Sequence, residues 1–204
     1  MKRPGLAKLS SALVLAMAVV CPVLAAPAPA AGATAVFAGG CFWCIEADFE
    51  KLPGVLDVES GYTGGHVPDP DYEQVSAGGT GHAEAVRVRY DPARVSYAQL
   101  LDYFWKHIDP TVKDRQFCDA GNQYRSAIFP ATDEERRAAE ASRDALLASG
   151  RFAQVLTTIE PAAAFHPAED YHQDYYRKNP LRYAYYRRSC GRDARVEELW
   201  GSAR

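Results

Sequence analysis

The sequence has few features of a membrane-spanning or nucleic-acid-binding protein. Its 204 residues contain one conspicuous apolar run, at positions 12–20, and that run is too short to cross a bilayer. After residue 33 there is no second apolar run of membrane length and no basic stripe with spaced aromatic residues. We therefore expect no nucleic-acid partner. Internal repeats and linkers are also lacking in residues 34–204, which favours a single domain there.

The first 33 residues predict a signal peptide followed by a linker. Basic residues precede the apolar run, and residues 23–25 (Val-Leu-Ala) have the spacing of a signal-peptidase site. Cys21 would suit a lipoprotein, but Val20 is not the small residue expected before such a cysteine. The short apolar core and the Pro- and Ala-rich sequence after it disfavour an uncleaved anchor. We expect an exported protein, periplasmic or secreted, with no membrane attachment after cleavage.

Cleavage would leave an acidic and tyrosine-rich protein. Residues 1–33 carry three of the 23 basic residues and none of the 26 acidic ones, so the remaining chain has a net charge of −6. Tyrosine occurs 12 times. This frequency suits a cleft in which an apolar ring and a hydroxyl are both used.

Cysteine is scarce, with five in the chain and four after the predicted signal peptide. An even number in an exported protein suggests two structural disulfides. A domain of this length can fold on its core without them, so redox chemistry is the alternative. Cys41 and Cys44 form the one Cys-x-x-Cys pair, and a zinc site would need further ligands such as Cys118, Cys190 or histidines. The lack of a second such pair disfavours zinc.

The mixture of short strands and helices predicts an α+β fold, because the elements follow no strict βαβ rhythm. Ser96 and Thr132 are candidate helix N-caps. Residues 63–81 form a polar stretch longer than most loops, which favours a functional role, and residues 109–122 form a second one. An irregular tail rich in aromatic residues and arginine follows His166. The predicted strands are 33–38, 55–62, 84–90, 124–129 and 154–159, and the predicted helices are 41–52, 97–107 and 133–149.

Cys41 lies where a predicted strand ends and a helix begins. The first N–H groups of a helix lack intrahelical partners, and the helix dipole adds partial positive charge there. Both effects favour the thiolate, which is the nucleophilic form of cysteine. Gly39 and Gly40 permit a tight turn and a close approach of substrate to the backbone. Cys41 is thus a candidate nucleophile, with Phe42 and Trp43 as candidate walls of an apolar pocket.

Glu84 is a candidate proton donor. It stands at the start of a predicted apolar strand, where burial would raise its pKa and keep it protonated. The alternative is an ordinary solvated carboxylate at a strand end. The residues alone leave both open.

Several segments together resemble the signature segments of peptide methionine sulfoxide reductases of the A type. They occur in the family order and cover about residues 34–190. The segments are Gly39–Trp43, Gly61–Gly65, Gly81–Val86, Gln123–Ile128, Ala168–Gln173 and Lys178–Pro180.

The resemblance implies a catalytic reductase domain over residues 34–204 that reduces the S epimer of methionine sulfoxide, free or in proteins, to methionine. It implies a two-layer α/β roll around a mixed sheet with a ferredoxin-like core, and no metal or bound cofactor. Cys41 would be the nucleophile and Glu84 the acid. Tyr72 and Tyr124 would hydrogen-bond the sulfoxide oxygen with Asp119 nearby, and Phe42 and Trp43 would hold the methyl group.

Completion of such a cycle requires a second thiol and an external reductant. The sulfenic acid left on Cys41 would condense with a resolving cysteine, and a thioredoxin-like protein would reduce the resulting disulfide. Cys190, in the tail, is favoured as the resolving residue. Cys44 is close behind, although a rigid helix could misalign its sulfur, and Cys118 is the third candidate. We expect a monomer.

Two other interpretations stay open at this point. The Cys-x-x-Cys pair alone would suit a thioredoxin-like disulfide oxidoreductase, and two fixed disulfides would suit a secreted binding module. Tyr72, Tyr124 and Asp119 could be ordinary loop and strand residues. His82 and His172 are expected to be structural hydrogen-bonding residues, and Glu169 and Asp170 a helix start.

Overall fold

The structure, a computed structural model that describes residue 1 and residues 32–201, contains a six-stranded sheet and a separate two-stranded hairpin. The chain divides into two units, Met1–Ala30 and Ala31–Arg204, and the fold described here is that of the second unit. The strands are β1 (Ala33–Gly39), β2 (Val55–Thr63), β3 (Ala83–Tyr90), β4 (Arg115–Gln116), β5 (Asp119–Ala120), β6 (Ser126–Phe129), β7 (Thr158–Ile159) and β8 (His166–Pro167).

Helices pack on this sheet and extend the chain at its C-terminal end. They are α1 (Phe42–Phe49), α2 (Tyr72–Ala77), α3 (Tyr97–Trp105), α4 (Asp133–Ala148), α5 (Tyr175–Lys178), α6 (Pro180–Ser189) and α7 (Arg192–Trp200). A single 3₁₀ turn spans Asn122–Tyr124. No helix within the described residues is both long and apolar enough to cross a membrane.

The sheet confirms the predicted α+β class and its ferredoxin-like core. Its strand order is β7-β6-β1-β3-β2-β8. The neighbours β6-β1-β3-β2 are antiparallel, and β1-α1-β2-β3-α3-β6 follow one another as in a split βαβ fold. The parallel pairing of β6 with β7 makes the sheet mixed.

Alternation along β3 explains why it lies at the centre of the sheet. Val86 and Val88 are fully buried, whereas Arg87 points to the other face and donates its Nε–H to Glu59 across the pairing with β2, at 3.0 Å. The core beneath the sheet is aromatic. Phe37 of β1 stacks on Phe49 of α1 at 5.1 Å and on Phe104 of α3 at 5.0 Å.

The turn between β1 and α1 depends on glycine. Gly40 has a φ of +80°, and a Cβ there would lie 2.5 Å from the Cβ of Gln116. Gln116 is fully buried because its amide closes two hydrogen bonds to the backbone of Asp109, at 2.9 and 2.7 Å. This packing sets where α1 begins, immediately after Cys41.

The prediction of an irregular C-terminal tail is wrong, since residues 175–200 contain α5, α6 and α7. None of the residues of α6 is buried, so its sequence has no apolar periodicity to signal a helix. The helix begins nevertheless, because Pro180 at its first position has a φ angle that suits a helix start. Its leucine, alanine and arginine residues also favour a helix. α7 is held by Val196 and by Trp200, whose indole N–H donates to the carbonyl of Ile108 at 3.0 Å.

Other elements differ in length from their predictions. The long loop 63–81 contains α2, begun by a capping box between Asp71 and Gln74, and the second polar loop contains the β4–β5 hairpin. The strand predicted at 154–159 is only Thr158–Ile159. The predicted N-caps Ser96 and Thr132 are confirmed. The predicted signal peptide lies outside the described residues, apart from residues 1, 32 and 33.

Candidate active site

The residues predicted for the site come together around one small cavity of about 80 Å³. It lies where the start of α1 meets β3, α2, the β4–β5 hairpin and α6. Its lining contains all seven predicted catalytic and substrate-binding residues and one that the sequence had not suggested. The lining residues are Cys41, Phe42, Trp43, Tyr72, Glu84, Asp119, Tyr124 and Tyr186.

Cys41 occupies the N-cap position of α1, and its backbone conformation is not helical, with φ −48° and ψ 118°. Its carbonyl accepts the first hydrogen bond of the helix from the N–H of Cys44, at 3.1 Å. Only 6% of its surface is exposed, at the mouth of the cavity. The sulfur is therefore set at a helix start, as predicted, but outside the rigid helical segment.

The local electrostatics of the two free cysteines differ from the expectation based on the helix start. Burial raises the pKa of Cys41, and the neighbouring Cys44 and Glu84 raise it further. The hydrogen bond from Cys41 lowers the pKa of Cys44 to about 7, and Arg192 and Arg187 contribute in the same direction. Burial and the neighbouring groups therefore oppose the effect of the helix start on Cys41, and the thiolate expected there stays a prediction.

Glu84 is a buried acid, not a solvated strand end. Its side chain is 2% exposed, and its Oε2 accepts the backbone N–H of Phe42 at 3.0 Å. Burial raises its pKa to about 8, with smaller contributions from Asp119 and Cys44, against the Phe42 N–H, which lowers it. At neutral pH the Glu84 carboxyl is therefore protonated in most molecules. It contacts Phe42, the residue that follows the candidate nucleophile Cys41.

Two tyrosines face the same cavity as hydroxyl donors. Burial and the nearby Glu84 raise the pKa of Tyr72 to about 12 and also raise that of Tyr124, so both hydroxyls keep their protons. Tyr72 is fixed because its backbone N–H donates to Oε1 of Glu169 at 2.8 Å. Tyr124 ends the 3₁₀ turn that precedes β6.

Aromatic rings build the apolar side of the cavity. Phe42 is 1% exposed and packs against Tyr72 at 6.5 Å between ring centroids. The indole N–H of Trp43 donates to Nδ1 of His172 at 3.0 Å, and its ring stacks on Tyr175 at 3.7 Å. His172 thus has the structural role that was expected, and it fixes the orientation of the Trp43 wall.

Asp119 connects the cavity to a disulfide. Its Oδ2 accepts the hydroxyl of Tyr186 at 2.5 Å, and burial raises its pKa while that hydrogen bond and Arg192 lower it. The preceding residue, Cys118, is exposed and is bonded to Cys190 at the end of α6. Two of the three resolving candidates are therefore joined to each other, whereas Cys44 is a free, buried thiol next to Cys41.

Three site residues were missed by the sequence analysis. Tyr186 lines the cavity and hydrogen-bonds both Asp119 and Cys41. Glu169, expected to start a helix, instead accepts hydrogen bonds from the hydroxyl of Tyr62 and the N–H of Tyr72. Arg192 is 1% exposed and donates to the carbonyls of Gly39 and His107 below the nucleophile turn. For Tyr186 and Arg192, the sequence signal was the high frequency of tyrosine and arginine in residues 171–195.

The alternative interpretations fit the described residues less well. Over residues 32–201, close groups of three metal-ligand side chains are Cys118 with Asp119 and Cys190, and Glu46 with Glu50 and Asp174. Neither group includes Cys41 or Cys44, and the first has no free thiol because its cysteines form the disulfide. One disulfide and two free cysteines are present there, not the two disulfides of a structural module.

Comparison with known proteins gives one consistent result. A profile described as "Peptide methionine sulfoxide reductase" matches residues 33–204. Peptide methionine sulfoxide reductase MsrA of Limosilactobacillus reuteri is 51% identical over 169 residues, covering 82% of this chain and 96% of the relative. MsrA 2 of Caulobacter vibrioides is 49% identical over 193 residues, covering 93% and 98%.

Solved structures agree with this result. Reduced Mxr1 from Saccharomyces cerevisiae is 33% identical with a TM-score of 0.70, covering 75% of this chain and 88% of that one. Methionine sulfoxide reductase A of Corynebacterium diphtheriae is 35% identical with a TM-score of 0.65, covering 74% and 77%. The chain thus belongs to the peptide methionine sulfoxide reductase family, and it is an oxidoreductase that uses thiols to reduce the S epimer of methionine sulfoxide to methionine.

Proposed function

We propose that Cys41 attacks the sulfur of the sulfoxide while Glu84 supplies the proton for its oxygen. The observation that carries this assignment is a cavity walled by both groups, one a thiol at a helix start and the other a buried carboxyl with a pKa of about 8. Expulsion of an unprotonated oxide ion is prohibitive, so a proton donor beside the nucleophile is the essential requirement.

The remaining lining residues divide between the two ends of the substrate. The hydroxyls of Tyr72 and Tyr124 donate to the sulfoxide oxygen, which they can do because their raised pKa values keep them protonated. Phe42 and Trp43 enclose the S-methyl group, since their rings form the apolar wall. Asp119 orients Tyr186 through their hydrogen bond.

The first half-reaction forms an S–O bond on Cys41 and breaks the one in the substrate. Glu84 protonates the sulfoxide oxygen, the sulfur of Cys41 attacks the substrate sulfur, and the thiol proton restores Glu84. The hydroxyl then moves to Cys41 as the bond between the two sulfurs breaks, so that Cys41 becomes a sulfenic acid and the substrate leaves as methionine. Cys41 loses two electrons and the sulfoxide gains them, so the step is balanced without a bound cofactor.

We propose Cys44, not Cys190, as the residue that resolves this sulfenic acid. Its thiol already hydrogen-bonds Cys41, and the lowered pKa of about 7 makes much of it thiolate at neutral pH. The Cys44 sulfur attacks the Cys41 sulfur, water leaves, and a Cys41–Cys44 disulfide forms. Cys41 lies outside the helical segment, which removes the objection that a rigid helix would hold the two sulfurs apart.

An external dithiol protein of the thioredoxin type then returns the disulfide to two thiols by exchange. Cys41 and Cys44 are 6% and 2% exposed, whereas Cys118 is exposed and adjoins the cavity through Asp119. The Cys118–Cys190 pair is therefore the disulfide that such a reductant can reach directly. We propose that the dithiol formed there reduces the Cys41–Cys44 disulfide by exchange and is itself reoxidised to the Cys118–Cys190 disulfide. We further propose that the protein is exported after cleavage of the signal peptide within residues 1–33, and that it acts as a monomer on oxidised proteins.

Turnover of resolved epimers of a methionine sulfoxide peptide tests the assignment. We expect activity on the S epimer, none with Cys41→Ser, and one turnover without recycling for Cys44→Ser. Cys190→Ser should recycle, given dithiothreitol as the reductant. Full activity of Cys41→Ser would refute the assignment of the nucleophile, and normal recycling of Cys44→Ser would refute that of the resolving residue.

A further inference from the structure

A second and larger cavity adjoins the catalytic one. It has a volume of about 580 Å³ and an open, largely apolar surface. We call it the aromatic groove and define it by its lining residues. These are Trp43, Tyr175, Leu181, Arg182, Tyr185 and Tyr186.

The two cavities share two walls. Trp43 and Tyr186 line both of them, and their rings meet edge to face at 5.8 Å. Tyr175 extends the surface outward because its ring is stacked on Trp43 at 3.7 Å and 6°. A chain that leaves the catalytic cavity on this side therefore passes over a continuous aromatic floor.

The outer wall of the groove is apolar and has no partner within the described residues. Leu181 is 86% exposed and Tyr185 is 77% exposed, and they lie one turn apart on the same face of α6. These are the two most exposed large hydrophobic residues among residues 32–201. Exposed apolar residues placed together beside a site mark a binding surface more often than chance exposure does.

The size of the catalytic cavity limits what it can hold. At about 80 Å³ it can accept the sulfoxide end of a methionine side chain, but not the backbone or neighbouring residues of a peptide. These parts of a protein substrate must lie outside, across the rim. Trp43 and Tyr186 form the wall that the catalytic cavity shares with the aromatic groove, so the groove is the surface next to this side of the cavity.

We infer that the aromatic groove binds the polypeptide segment next to the oxidised methionine and selects an apolar side chain there. The inference rests on the proposed function, since it assumes that the sulfoxide enters the Cys41 cavity. Leu181, Tyr185 and the stacked Tyr175 would contact the apolar side chain. Arg182, at the edge of the groove, has guanidinium N–H groups that can donate to a backbone carbonyl.

The test compares free and peptide substrates on the same enzymes. The substrates are the S epimers of N-acetyl-methionine sulfoxide, a pentapeptide with leucine on each side of the sulfoxide, and the same pentapeptide with serine. The variants are Leu181→Ser, Tyr185→Ser and the double variant. Leu147→Ser, a partly exposed leucine of α4 outside the groove, is the matched control.

We expect each groove variant to raise KM for the leucine peptide by about fivefold to tenfold, as the loss of one apolar contact predicts. KM for N-acetyl-methionine sulfoxide, kcat and the preference for the S epimer should stay unchanged. KM for the serine peptide should change less than twofold. Leu147→Ser should behave as the unmodified protein does with all three substrates.

Other outcomes overturn the inference. Equal KM values for the leucine and serine peptides in the unmodified protein would do so. So would a groove variant that changes only the KM for a thioredoxin-type reductant, or one that converts a dimer into a monomer in sedimentation. If the unmodified protein did not turn over N-acetyl-methionine sulfoxide, the proposed function would be refuted instead. Failure of the groove inference and failure of the proposed function are therefore distinguishable.

Discussion

At the scale of single residues, catalysis depends on which groups hold a proton at neutral pH. Burial keeps Glu84 protonated up to a pKa of about 8 and keeps the tyrosine hydroxyls protonated well beyond it. The same burial raises the pKa of Cys41, so its proton must leave during the reaction. The pocket is thus arranged to give protons to an oxygen and to receive one back from a thiol.

The pH dependence of the chemical step should report Glu84. Only the protonated carboxyl can act as the acid, so we expect the single-turnover rate to fall as the pH rises through about 8. Glu84→Gln should lose roughly 10²-fold or more in rate and lose this pH dependence. Rapid-quench measurements between pH 6 and 9.5 provide the check. A wild-type rate that increases through pH 8 would contradict the role of the acid.

Glu84 should also make the stability of the fold depend on pH, and Glu84→Gln should raise stability although it lowers the rate. The pKa of Glu84 is raised in the folded state from 4.5 to about 8. Titration of Glu84 therefore does not change the free energy of unfolding below pH 4.5, and it lowers that free energy increasingly as the pH rises toward 8. Glu84→Gln removes that titration. Urea unfolding should therefore show the variant gaining stability relative to wild type between pH 5 and 8.

Tyr186 should act through its hydroxyl. Tyr186→Phe removes the hydrogen bonds to Asp119 and Cys41 but keeps the ring against Trp43. Hydrogen bonds to charged groups contribute about 1.5–3 kcal/mol, so we expect kcat to fall roughly tenfold to hundredfold. The Tyr186 hydroxyl lowers the pKa of Cys41, so alkylation of Cys41 by iodoacetamide should shift to higher pH in the variant. Tyr185→Phe is the control, and an unchanged alkylation profile in Tyr186→Phe would contradict the contact.

At the scale of elements, the C-terminal helices complete the site. α6 supplies Tyr186, and the disulfide one turn later ties α6 to the β4–β5 hairpin that carries Asp119. Below the nucleophile turn, Arg187 contacts Asp48 at 3.0 Å and Arg192 contacts it at 3.8 Å. The tail is therefore a structural part of the pocket, fixed by one covalent bond and one buried ion cluster.

The disulfide should stabilise the fold substantially. Cys118 and Cys190 are 72 residues apart, and closing a loop of that length corresponds to about 4 kcal/mol in the chain-entropy description. The variant with both cysteines changed to serine should lose about this much stability under oxidising conditions and should match the wild type in excess dithiothreitol. Equal stability of the two proteins without reductant would contradict the tie.

The buried arginine should matter for both stability and Cys44. Arg192→Met removes the donor to two buried backbone carbonyls and one of the two arginines beside Asp48, which keeps Arg187, so we expect a loss of about 1–3 kcal/mol in stability. Arg192 also lowers the pKa of Cys44, so that pKa should rise in the variant and recycling should slow at pH 7. Exposed Arg188→Met is the control for charge removal. Normal recycling in a folded Arg192→Met protein would contradict the electrostatic role.

At the scale of the whole molecule, the split βαβ core brings distant segments to one edge of the sheet. Cys41 follows β1 and Glu84 begins β3, and the antiparallel pairing of these neighbouring strands places the end of one beside the start of the other. Residues 63–81 and 109–122 then enclose this edge with Tyr72 and Asp119.

Much of this arrangement could be predicted from local patterns. Alternation in β3, the glycine pair before Cys41 and the capping residues Ser96 and Thr132 act over a few residues, so their consequences can be read without the fold. The catalytic residues were found because their segments resemble those of a known family. Periodicity alone would not have distinguished Tyr72 or Asp119 from ordinary loop residues.

The amino-acid sequence by itself determined the class of fold and the place of Cys41 at a helix start, because these follow from short-range patterns. The acid role proposed for Glu84 came from the family resemblance, since the residues alone left its protonation open. Only the tertiary structure decided the helical tail, the role of Tyr186, and the pairing of Cys118 with Cys190 that leaves Cys44 beside Cys41. It also decided the direction of the Cys41 pKa. The burial of Cys41 depends on segments as distant along the chain as that of Arg192, which donates to the carbonyl of Gly39, and no local pattern encodes such packing.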